Sequence, residues 1–65
     1  MIIKTKVETR TGAVKTAYYK YTSAGKAICG SKGDAAHFNR EMAEKVLAQL
    51  KVIDHRFADA ELVEA

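Results

Sequence analysis

The chain has no proline, a single cysteine, no long apolar run and, over residues 1–33, a single acidic side chain. Each scarcity excludes something. Without proline, nothing forces a kink or a break inside an element. One cysteine, Cys29, cannot build a disulfide framework. Cys29, His37 and His55 are too few and too far apart for a Cys-x-x-Cys and His-x-x-x-His zinc pattern, so no metal site and no cofactor are expected. No apolar stretch approaches the ~20 residues of a membrane span. The opening MIIKTKVETR lacks the apolar region of a secretory leader. The expectation is a cytoplasmic protein, where a lone reduced thiol is ordinary.

What is present fits one small domain spanning residues 1–65. A chain of this size buries only about 60% of the surface its unfolded state exposes, so one compact apolar core must hold it. Self-association would extend that core, which makes a homodimer possible. Charge is uneven. Residues 1–33 carry seven basic side chains and one acidic, whereas residues 34–65 carry four basic and seven acidic. Such a two-poled surface steers partners without naming them. The net charge of +3 makes a poor mimic of DNA.

The segment MIIKTKVETRTGAVKTAYYKY reads as a β-hairpin. Ile3, Thr5, Val7 and Thr9 alternate with Lys4, Lys6, Glu8 and Arg10, the period of a strand with one wet face. Thr11-Gly12 supplies the turn. The second strand covers about Ala13 to Thr22 and is rich in Tyr, Thr and Val. Both of its alternating sets contain aromatics and lysine. Ala17, Tyr19 and Tyr21 are expected to face inward, and Tyr18 and Lys20 outward. After Ser23-Ala24-Gly25, KAICG forms a short third strand, with either Ile28 or the Ala27/Cys29 pair inward.

Asn39 is suited to cap a helix over about residues 40–52, with Phe38 placed to pack on Ala43. Met42, Ala43, Val46, Leu47, Leu50 and Ile53 recur at helical spacing and predict one apolar stripe. Arg40 and Glu44, like Glu41 and Lys45, are spaced for ion pairs on the other face. FADAELVEA reads as a fourth strand, although Ala and Glu also favour helix. The layout β-β-β-α-β predicts an α+β fold: a three- to four-stranded antiparallel sheet with one amphipathic helix on one face.

Little here suggests catalysis. His37 and His55 flank the helix, at opposite ends of a rod of roughly 18–20 Å, and read as surface histidines. Cys29 reads as a small buried hydrophobe with no base beside it. Asp34, Asp54 and Asp59 are ordinary turn residues. SAGKA and GSKGD lack the spacing of a phosphate-binding loop. The expectation is a protein that is not an enzyme. The interleaved tyrosines and lysines carry more information. Sheets that bind single strands set exposed aromatics beside a basic track, and a sheet can also enter the major groove of a duplex. The plainer reading is that tyrosine suits a strand and edge lysines discourage aggregation. The candidate binding residues are Lys4, Lys6, Lys15, Tyr18, Lys20, Tyr21 and Lys26.

Two resemblances follow from these segments. From Tyr18 to Val63 the chain resembles small phage and prophage accessory proteins. The pattern is a strand pair ending at Ala36 and Phe38, a capping Asn39, a helix carrying Glu41, Ala43, Glu44, Leu47 and Leu50, and the tail Leu62-Val63-Glu64. This resemblance implies a small non-catalytic protein that binds a host protein, in the host cytoplasm, as an inhibitor or modulator of the host-takeover or anti-defence type. It carries over no functional residue. From Val7 to about Leu50, three strands and a helix are similar to the arm-type DNA-binding domains of tyrosine recombinases, whose sheet enters the major groove. That resemblance implies, as the alternative, a sheet-type nucleic-acid-binding domain. Such sheets are arginine-rich, whereas Arg10 is the only arginine before the helix here.

Overall fold

A computed structural model describes all residues, Met1–Ala65. It has four strands, β1 (Ile2–Glu8), β2 (Val14–Ser23), β3 (Lys26–Gly30) and β4 (Glu61–Val63), and one helix, α1 (Arg40–Ile53). The strands form one antiparallel sheet in the order β3-β2-β1-β4. The fold is α+β, and no helix is long and apolar enough to cross a membrane.

Turn chemistry sets the two hairpins. Between β1 and β2, Thr9 N–H donates to Ala13 O and Gly12 sits at φ +83°. Between β2 and β3, Ala24 and Gly25 both take positive φ, 51° and 77°, the twist-matched form of a two-residue turn. The helix starts where Asn39 Oδ1 accepts from Met42 N–H at 2.8 Å. Glu41 and Lys45 form an ion pair at 3.7 Å; Arg40 and Glu44 form none.

The core lies between the sheet and α1. Ile3, Tyr19, Ala27, Leu50, Phe57 and Ala60 form its buried centre, with Cys29, Phe38, Val46, Leu47 and Leu62 packed around it. The Tyr19 ring stacks on Phe38 and meets Phe57 edge-on, at centroid distances of 6.2 and 6.3 Å. The helical stripe is narrower than its sequence pattern suggests. Ala43 and Leu50 are buried, but Met42 and Ile53 stay 49% and 47% exposed. They sit roughly a quarter-turn round the helix from the packed line, at the margin of a small sheet.

The end of the chain departs from the expected strand. Only Glu61–Val63 pair with β1, opposite Lys4, Ile3 and Ile2. His55–Phe57 form a 3-10 turn that drives Phe57 into the core. Asp54 organises this turn. Its carboxylate accepts from Arg56 N–H at 3.0 Å and from the guanidinium at 2.6 Å, and the guanidinium also donates to Ala27 O at 2.7 Å. The turn is thereby tied to β3, and Thr5 Oγ1 ties it to β1 by donating to Arg56 O.

Candidate functional site: the sheet face away from the helix

Strand alternation places one side of the sheet against α1 and leaves the other uncovered by it. Ile3, Thr5, Ala17, Tyr19, Ala27 and Leu62 turn towards the core side. Lys4, Lys6, Tyr18, Lys26, Ile28, Glu61 and Val63 therefore turn the other way. Lys4 stands directly opposite Tyr18, and Gly30 stands opposite Tyr18 on its other flank.

A β-bulge in β2 settles the position of the remaining tyrosine. Tyr19 pairs with Cys29, but the next pair is Tyr21 with Ile28, so Lys20 is an extra residue. The expected inward facing of Tyr21 is therefore wrong. The extra residue reverses the alternation. Tyr21 joins Ile28 on the helix-free face, 53% exposed, while Thr22 turns to the core side opposite Ala27. Thr22 there meets the Tyr19 hydroxyl at 2.7 Å, so the buried phenol is satisfied by a residue three positions on. The inward reading of Ala17 and Tyr19 and the outward reading of Tyr18 agree with the burial observed. In β3, Ala27 and Cys29, not Ile28, take the core side.

Lys20 follows the helix-free face as well. A Cβ placed on Gly30 would lie 2.6 Å from Lys20 Cδ, so the bare glycine gives the lysine stem its path across β3. The Lys20 ammonium ends 5.9 Å from the Tyr21 ring centroid, within cation–π reach. Of the seven candidate binding residues, Lys4, Lys6, Tyr18, Lys20, Tyr21 and Lys26 are thus gathered on one face. Lys15 is not. It pairs with Val7 on the opposite side, where it is exposed.

The face has acidic and closed parts too. Glu61 lies 4.0 Å from the Lys4 ammonium, with both side chains partly solvated, which makes a weak pair. Glu8 shares the face at its far end. Ile2 is on this side by alternation yet only 1% exposed, beside Val63, so the platform is closed where β1 begins. Gly30, Val14 and Ile28 belong to the surface and were not singled out from the sequence. Gly30 gave no signal because its role depends on a lysine ten residues earlier.

The other titratable groups have structural settings. Cys29 is half-buried, and burial pushes its thiol above the usual range, so it is a poor nucleophile. The hydrogen bond from Arg56 holds the Asp54 carboxyl below its usual range. His37 and His55 are exposed, and no group of His, Cys, Asp and Glu side chains is arranged to hold a metal ion. A groove of about 520 Å³ runs along the outer edge of β1, with Lys6 and Glu8 on one wall and His55, Arg56 and Asp59 on the other. Compared with known proteins, the chain matches no family model, no curated protein and no solved structure.

Proposed function

We propose that this is a non-catalytic binding protein that works through the helix-free face of its sheet, with a single-stranded nucleic acid as partner. The observation that carries the reading is the gathering of Lys4, Lys6, Lys20 and Lys26 with Tyr18 and Tyr21 on that one face. Tyrosines offer rings on which bases stack, and the lysines meet the phosphates between them. The small width of the sheet suits a strand of a few nucleotides.

The test is fluorescence anisotropy with a labelled oligonucleotide over a range of salt. Four phosphate contacts at about 0.7 each predict a log–log slope of about −3. Alanine at Tyr18 or Tyr21 should cost about 1–3 kcal/mol, the worth of one stacked base. Lys15→Ala should change affinity least among the lysines. Salt-independent binding, or none, would reject this reading.

A second reading keeps the accessory-protein expectation, in which the same face docks on a host protein. It is favoured by the apolar content of the surface, where Val14 is 71% exposed and Ile28 half-buried. A stoichiometric protein recovered from bacterial lysate after nuclease treatment, and lost in the Tyr21→Ala variant, would establish it in place of the first.

A further inference from the structure

β1 is covered on its outer side for less than half its length. β4 pairs only with Ile2, Ile3 and Lys4, so from Thr5 to Glu8 the strand has no strand partner there, only the groove walled by His55, Arg56 and Asp59. The direction of its backbone groups follows from the first hairpin. Thr9 N–H donates to Ala13 O across the turn. An antiparallel ladder alternates, so the odd residues of β1 direct their N–H and C=O groups towards β2 and the even ones towards the outer edge. Lys4, an even residue, accordingly pairs with Glu61 of β4. The N–H and C=O groups of Lys6 and Glu8 are left pointing into the groove of about 520 Å³ beside the strand.

We infer that this edge is completed by the same edge of a second copy, antiparallel and centred on Val7. The register is selected by two independent features. Pairing about Val7 sets Lys6 opposite the second copy's Glu8, and Glu8 opposite its Lys6, so that all four open backbone groups on each edge are matched. It also makes both side-chain pairs opposite in charge, the favourable cross-strand arrangement. A shift by two residues either way sets Lys6 against Lys6 or Glu8 against Glu8 and leaves half of the edge groups unmatched. A shift by one residue turns the partner's faces over. Beyond Thr9 the second copy's chain must turn away from this edge, because Glu61 of β4 already stands opposite Lys4. A strand of unrelated sequence would satisfy the backbone groups but not this reciprocal charge pattern. The dimer has one continuous sheet with both helices on the same side. The helix-free faces of the two copies are then contiguous, with Lys6 of each engaged by the second copy's Glu8 and Lys4, Lys20 and Lys26 left free of the new pairs.

Sedimentation equilibrium of the wild-type chain tests this, with expected reversible formation of a two-chain species. Lys6→Glu and Glu8→Lys each replace two attractive pairs by two repulsive ones. Each should raise the dissociation constant by about tenfold or more. Both positions are exposed, so the monomer fold is retained. Mixing the two variants restores both pairs in the heterodimer, and association should return to the wild-type level. A second probe is Val7→Cys in a Cys29→Ser background. Directly facing strand residues of this kind stand about 4.5 Å apart at Cα, within disulfide reach, so the cross-linked dimer should form under mild oxidation, and a Thr16→Cys control should not. Three outcomes would overturn the inference: a wild-type chain that stays monomeric up to millimolar concentration, a dimer indifferent to both charge changes, or an edge that takes up only a strand of another protein. None of these outcomes bears on whether the helix-free face binds nucleic acid, which a monomer can also do.

Discussion

Ala24 is the one non-glycine residue at positive φ, held at 51° by the turn between β2 and β3. An alanine there costs about 1–2 kcal/mol relative to a right-handed conformation, while asparagine accepts it more readily. Ala24→Asn should therefore stabilise the chain by roughly 1 kcal/mol, raising the melting temperature by about 4–8 °C. Thermal denaturation followed by circular dichroism checks it. Asp54 gives a prediction in pH. Its folded-state pKa is lowered chiefly by the Arg56 hydrogen bond. The group therefore stabilises the fold fully above its unfolded value of about 3.9, and this contribution is lost as pH falls through the lower folded value. Urea midpoints of the native protein should decline on acidification below about pH 4. Asp54→Asn should cost about 1.5 kcal/mol at pH 7 and flatten that acid decline. Asp54 was legible in the sequence only as a turn residue. Its partner donates at once to the aspartate and to Ala27 O, and that second acceptor lies 29 residues away.

Among the elements, β2 and β3 together decide what the helix-free face can do. The bulge at Lys20 brings Lys20 and Tyr21 to the same side, and Gly30 leaves room for the lysine stem. Gly30→Ala has no backbone objection, since Gly30 is not among the positive-φ residues. It should push Lys20 off its path and weaken the proposed oligonucleotide binding about as much as Lys20→Ala. The Gly30→Ala, Lys20→Ala double variant should bind no worse than Lys20→Ala alone, because both changes remove one interaction. Additive losses would mean that Gly30 acts in some other way. The strand and its turn were readable from composition. The bulge was not, because YYKYT offers tyrosine or lysine to either face at every offset, and no local residue marks the extra position.

For the molecule as a whole, a 65-residue chain with eleven buried residues has little stability in reserve. At roughly 0.05–0.15 kcal/mol per residue its total is of the order of 3–10 kcal/mol. Phe57 is fully buried, meets Tyr19 edge-on and joins the 3-10 turn to the sheet. Phe57→Ala should cost about 3–5 kcal/mol. Much of the chain should then be unfolded at 25 °C, with a weakened cooperative transition in urea. An unchanged transition would show that the core is carried elsewhere. The same small core explains why Met42 and Ile53, apolar and correctly spaced, remain half exposed: the sheet is too narrow to cover the whole stripe. A sequence pattern reports which residues could be covered, not how wide the covering surface is.

The sequence by itself determined the elements whose causes are local. Alternation along Ile2–Glu8, glycine at positions 12 and 25, and Asn39 before an apolar period of 3.6 specified the hairpins and the helix, and hence the α+β class. It also specified a basic front half and a thiol with no base beside it. Tertiary structure decided everything that depends on which distant residue stands opposite. It placed Tyr21 outward and Lys15 on the far side, shortened the last strand to Glu61–Val63, and turned Phe57 inward. The physical reason is that propensity and capping act over one turn or one pleat. The facing of a side chain in a sheet depends on register with another strand, and one inserted residue reverses it.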